Sequence, residues 1–108
     1  MDKYDMIMKE EAPPFLPKEY AVQVRWAVQF LKKAGAKEVF LFGSLITGKI
    51  NKNSDIDLGI KGLPPELFFK IYGELSISSE KHIDLVDFDS NSDLFTMLQT
   101  IDEVIQVG

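Results

Sequence analysis

The chain has no cysteine, which removes disulfides, zinc–thiolate sites and thiol catalysis and gives no sign of an oxidising compartment. No apolar run approaches the roughly 20 residues of a membrane span. The opening MDKYDMIMKEE is too acidic and mixed for a signal peptide. A soluble, cytoplasmic chain is the expectation. An excess of positive charge is missing too: the net charge is −5 and the pI about 4.8, with lysines scattered rather than striped. The electrostatic footprint of a polynucleotide binder is therefore lacking, and long nucleic acids are not expected as substrates. Internal repeats and low-complexity segments are absent as well.

What is present is an ordinary globular composition, 45% apolar and 27% charged, in 108 residues. That length predicts one domain with a real core and no room for two. Residues 1–16, with Pro13 and Pro14 and no sustained period, read as an N-terminal arm, and residues 17–108 as the domain. A helix is predicted from Pro17 to Ala34. Pro17 suits a first helical position, Glu19 and Lys32–Lys33 complement the helix dipole, and Gly35 serves as C-cap. Ala21, Val24, Val28 and Leu31 form its apolar face, and Val22, Trp26 and Phe30 form a second stripe. Either the helix is wedged between sheet and neighbouring helices, or Trp26 and Phe30 meet a partner chain, with the first reading ahead.

Val39–Phe42 and Asp55–Ile60 are predicted strands, rich in β-branched and aromatic residues and bounded by turn formers. Side chains two apart on a strand share a face, so Asp55 and Asp57 look one way and Ile56, Leu58 and Ile60 the other. A short helix to about Leu75 carries Leu67, Phe68, Ile71, Tyr72 and Leu75, followed by a polar loop, Ser76 to Lys81. HIDLVDF makes a third strand with His82, Asp84, Val86 and Phe88 on one face. A last helix from about Ser92 is expected to bury Leu94, Met97, Leu98 and Ile101, and Val104–Val107 to form a short strand or tail. The order predicts an α+β fold, a small mixed β-sheet with helices packed on one face and the other left for chemistry.

Two motifs compete for Gly43. GSLITGK follows a strand and matches the opening of a P-loop, but position 50 is Ile, so the magnesium-binding hydroxyl is absent and no amphipathic helix continues. The stronger pairing joins Gly43-Ser44 to Asp55-Ile56-Asp57 on the next strand and Asp84 on a later one. Magnesium favours hard oxygen ligands, typically one or two carboxylates with phosphate oxygens and water. Two carboxylates about 4 Å apart repel by roughly 4 kcal/mol at an effective dielectric of 20, strain that a cation relieves. Taken singly, Gly43-Ser44 is an ordinary strand-to-helix turn with Ser44 as N-cap, and each aspartate the solvated face of a strand. Their coincidence favours one metal site over three separate explanations. His82 shares the face of Asp84, but a lone histidine at a strand start is more often incidental than a ligand.

This strand, Gly-Ser, ten-residue spacer and Asp-x-Asp arrangement, with HIDLVDF supplying the third acid, resembles the nucleotidyltransferase superfamily that includes DNA polymerase beta. It is most similar to the minimal nucleotidyltransferase branch, from about Pro17 onward. The resemblance implies attack on the α-phosphate of a nucleoside triphosphate, ATP above all. Asp55, Asp57 and Asp84 would hold two Mg2+ ions, for which Mn2+ can substitute, and Asp84 would serve the acceptor hydroxyl. Gly43 and Ser44 would cradle the phosphates. The chain departs from the family in carrying Leu45, Ile46 and Thr47 where basic residues usually follow Gly-Ser, which leaves Lys49 and Lys52 to meet the triphosphate. The resemblance further implies a small helical HEPN-type partner, with the chain as antitoxin and AMP transferred to a tyrosine hydroxyl. The alternative is an inactive fold that neutralises its partner by contact. Homo-oligomerisation stays open.

Overall fold

The first helix, α1 (Lys18–Ala34), starts one residue later than expected, with Pro17 as its N-cap. The Pro17 carbonyl accepts the amides of Tyr20 and Ala21 at 3.0 and 2.9 Å. The structure, a computed structural model, describes residues 15–51 and 53–108. The expected arm over residues 1–16 lies, apart from Phe15 and Leu16, outside the described residues. Helix α1 ends at Gly35, which adopts the left-handed region at φ 118°. The Gly35 amide donates to Lys32 and that of Ala36 to Leu31, closing the last carbonyls as a helix stop requires.

The buried stripe of α1 is Tyr20, Gln23, Val24, Ala27 and Leu31, rotated from the expected face. Ala21 and Val28 are only half-buried. The small Ala27, fully buried, lets the helix approach the sheet closely. Trp26 and Phe30 pack half-buried against the main core, rings 5.5 Å apart, as a wedged helix requires.

The strands β1 (Glu38–Phe42), β2 (Ile56–Lys61), β3 (Ile83–Asp87) and β4 (Val104–Gln106) form one sheet in the order β3-β2-β1-β4. β1 pairs antiparallel with β2 and β4, and β2 pairs parallel with β3. A parallel pair needs a long crossover, here supplied by α3 (Phe68–Ser78). That helix runs a turn beyond the predicted end at Leu75. Between β1 and β2 lies α2 (Ser44–Thr47), and α4 (Ser92–Thr100) precedes β4.

Alternation along the strands divides the apolar residues into two cores. Val39, Leu41, Ile56, Leu58, Ile60, Ile83 and Leu85 join α1 and α3 in the larger one. Phe40 and Phe88 meet Phe95 and Leu98 of α4 in the smaller one on the opposite face. α4 thus covers the end of the acidic face where β2 and β3 finish, leaving open the end where they begin. The expected burial along α4 is corrected here: Phe95 and Leu98 are buried, while Met97 and Ile101 are each 50% exposed. The reason is aromatic packing. The Phe95 ring sits 4.8 Å from that of Phe40 and 4.9 Å from that of Phe88, which turns the helix about its axis.

Candidate active site

The site forms where β2 and β3 begin. The antiparallel register sets Phe42 opposite Asp57, which brings the Gly43 turn against the Asp57 side chain. Gly43 has φ 77° and ψ −152°, a conformation that residues with a Cβ avoid. A Cβ there would stand 2.0 Å from Asp57 Oδ2, so the missing side chain is what makes room for the carboxylate. Ser44 is the first residue of α2 rather than its cap, and Gly43 holds the cap position without a side-chain bond. This corrects the capping role expected of Ser44. Within α2, Leu45 is fully buried and Ile46 half-buried against the core, while Thr47 is exposed, so two of the three positions where basic residues were sought serve the core. Lys49 is exposed just past Gly48, and Lys52 lies outside the described residues.

The loop leading into β2 is tied down before it reaches Asp55. Tyr20, fully buried on α1, donates its hydroxyl to the carbonyls of Asn51 and Ser54 at 3.0 and 3.2 Å. The Asn51 amide donates to Ser54 Oγ at 2.8 Å, and Asn51 Oδ1 accepts the Asn53 amide at 2.8 Å. Sequence reading missed Tyr20, because a helical tyrosine thirty residues upstream carries no local sign of what its hydroxyl reaches.

The parallel register sets Asp57 beside Asp84 and Ile56 beside Ile83, and the Ile56 amide donates to the His82 carbonyl at 2.9 Å. Asp55, just ahead of β2, therefore faces His82. His82 Nδ1 stands 3.2 Å from Asp55 Oδ1 and 3.8 Å from Asp84 Oδ1. Tyr72 of α3 donates its hydroxyl to Asp84 Oδ1 at 3.5 Å. Asp55, His82 and Asp84 each offer a ligand atom within 4.8 Å of the others. Asp57 stands outside that trio, beside Asp84 in the parallel register. Its carboxyl is pushed up from 3.8 to about 6, first by burial and then by the negative charges of Asp84 and Asp55, with His82 pulling the other way. A half-buried acid whose charged form is disfavoured by burial and by two neighbouring carboxylates marks a place where positive charge is wanted.

No curated protein sequence matches the chain. Among solved structures, a toxin–antitoxin complex with AMP-PNP superposes with a TM-score of 0.60 at 23% identity, covering 83% of this chain and 72% of the other. A MntA-HpeT toxin–antitoxin complex bearing a tyrosine-to-alanine substitution gives 0.60 at 22% identity, covering 79% and 71%. A MntA-HpeT complex with two aspartate-to-glutamate substitutions gives 0.57 at 23%, covering 73% and 67%. These likenesses establish the fold. The family model of polymerase beta nucleotidyltransferases matches residues 27–107, which takes in Gly43-Ser44 and all three aspartates. The chain belongs to the polymerase beta nucleotidyltransferase family.

Proposed function

We propose that the chain transfers AMP from ATP to a hydroxyl group on a partner protein, serving as antitoxin to a small helical HEPN-type toxin. The observation that carries this reading is the convergence of Asp55, Asp57 and Asp84 where β2 and β3 begin, beside the Gly43-Ser44 turn. The likeness to toxin–antitoxin complexes, one with AMP-PNP, supports the choice of partner and nucleotide. Among the described residues no helix is long and apolar enough to cross a membrane, and the place of action proposed with this function is the cytoplasm.

The donor set fits divalent metal: carboxylate oxygens of Asp55 and Asp84 lie together, Asp57 stands beside Asp84 in the strand register, and burial and the two neighbouring negative charges push the Asp57 carboxyl up to about 6. Bound divalent ions, two Mg2+ or two Mn2+, would neutralise the triphosphate and lower the pKa of the acceptor hydroxyl. Asp55 and Asp57 would hold the ion that grips the triphosphate, and Asp84 the one beside the acceptor. Gly43 gives the phosphates close access to the backbone, Ser44 offers its hydroxyl, and Lys49 and Lys52 supply point charges. In the transfer, the acceptor oxygen bonds to the α-phosphorus as the bond to the departing pyrophosphate breaks. The hydroxyl proton passes to Asp84, held in place by Tyr72.

The burial of Leu45 favours a second reading, an antitoxin that binds without turnover, since nothing basic follows Gly-Ser to clamp the triphosphate. The test is to incubate the chain with α-labelled ATP, Mg2+ and the protein encoded beside it. Label on the partner that disappears with Asp55→Ala upholds transfer. A tight unlabelled complex upholds contact alone. A label that appears on an added small hydroxyl compound with no partner present would replace both. If Mg2+ and Mn2+, with or without ATP, leave the melting temperature unmoved, the metal site itself is refuted.

A further inference from the structure

We infer that His82 is a nitrogen ligand of this metal site and tilts its preference from Mg2+ toward first-row transition ions such as Co2+ and Zn2+. The inference rests on the metal-dependent reading above and deepens it. His82 is the chain's single histidine, and its position follows from the sheet. The parallel register of β2 and β3 and the 2.9 Å bond from the Ile56 amide to the His82 carbonyl fix its backbone beside Asp55. Alternation along the strand then points His82 to the same face as Asp84.

The distances suit shared ligation. Two ligands on one ion at bond lengths of about 2.1 Å stand about 3 Å apart when adjacent and about 4.2 Å apart when opposite. His82 Nδ1 lies 3.2 Å from Asp55 Oδ1 and 3.8 Å from Asp84 Oδ1, and all three ligand atoms fall within 4.8 Å. With its proton on Nε2, the ring offers Nδ1 a lone pair into the space between the two carboxylates. The ion so held is the one beside the acceptor; Asp55 keeps its second oxygen for the neighbouring ion, which it would share with Asp57, next to Asp84 in the register. Magnesium is a hard ion that is poorly served by imidazole, whereas Co2+ and Zn2+ accept it readily. The plain alternative is that His82 merely ion-pairs with the two acids. Its side chain is 66% exposed and those of Asp55 and Asp84 are 48% and 46% exposed, a setting in which an ion pair contributes little.

The experiment measures binding of Mg2+, Co2+ and Zn2+ separately to the purified chain by calorimetry, and follows the Co2+ absorption spectrum. Wild type and His82→Ala are compared, with Asp55→Ala as the control that removes the site and a melting curve of each variant to show that it folds. The expected result is that His82→Ala weakens Co2+ and Zn2+ about tenfold or more and shifts the Co2+ spectrum, while Mg2+ affinity changes less than about twofold. If all three ions bind and His82→Ala lowers them equally or not at all, with an unchanged Co2+ spectrum, His82 is no ligand and the carboxylate site stands without it. If no ion binds wild type more tightly than Asp55→Ala, the metal reading falls and this inference with it.

Discussion

Gly43 and Asp57 compete for one space: a Cβ on residue 43 would stand 2.0 Å from Asp57 Oδ2 and 3.1 Å from Asp57 Cβ. Gly43→Ala is therefore expected to cost about 1–3 kcal/mol, through strain at φ 77° together with the clash. In an Asp57→Ala background the carboxylate is gone and the cost should fall, leaving the backbone strain. A double-mutant cycle by urea denaturation measures the difference, and fully additive costs would show that the two residues do not contend.

Asp57 makes stability without metal depend on pH. Its folded carboxyl is pushed up to about 6 from an ordinary 3.8, so between those values the folded chain binds more protons than the unfolded chain. Its contribution is complete below about 3.8 and disappears as pH rises through about 6. Asp57→Asn should therefore melt higher than wild type in EDTA at pH 7.5, and the gap should close toward pH 4. Saturating Mg2+ should reverse the order at pH 7.5, since wild type alone gains, by about 2.7 kcal/mol at a hundredfold excess over Kd. Thermal melts at the two pH values, with and without metal, supply the comparison.

Tyr20 holds the loop before Asp55 from a distance. Tyr20→Phe keeps the ring and removes both hydrogen bonds, to Asn51 O and Ser54 O, with an expected loss of about 1 kcal/mol. Because that loop delivers Asp55, metal affinity should fall as well. Calorimetry on the folded variant checks this, and an unchanged metal affinity would show that β2 alone positions the acid.

Gly59 tests the far end of the same face. A Cβ there would lie 2.0 Å from Phe88 Cε2, and Phe88 is fully buried between Phe40, Phe42 and Phe95. Gly59→Ala should destabilise by about 1–3 kcal/mol through overpacking, and Phe88→Leu should recover part of that loss. Metal affinity is expected to stay near wild type, because Phe88 and the α4 residues Phe95 and Leu98 pack together where β2 and β3 finish, away from Asp55 and Asp84.

Much of the site was legible in the chain because its signals are local. Gly43-Ser44 at the end of an apolar run, and Asp55 and Asp57 two apart at the start of the next, need only the two-residue period of a strand to share a face. Asp84 was legible for the same reason, as was the stop at Gly35. The stripe of α1 and the buried side of α4 were less so. An apolar period tells that a helix has a core face, but which of two overlapping stripes is used depends on what the sheet presents, and here that is Ala27 for α1 and the Phe40–Phe88 pair for Phe95.

The order of apolar and acidic residues by itself determined an α+β sheet domain, the Gly-Ser turn and three aspartates sharing one face of the strands, since strand alternation and turn propensity act over a few residues. Tertiary structure alone decided that β2 and β3 run parallel and in register, because that pairing depends on α3 crossing between them. From that register come the approach of His82 to Asp55 and Asp84, the hydroxyl of Tyr72 on Asp84, and the burial that raises Asp57. The Gly43-Ser44 turn lies against Asp57 because β1 and β2 are antiparallel, and Leu45 is buried because the short helix that carries it packs inward. Contacts between residues far apart in the chain form only when the core closes, and no local pattern records them.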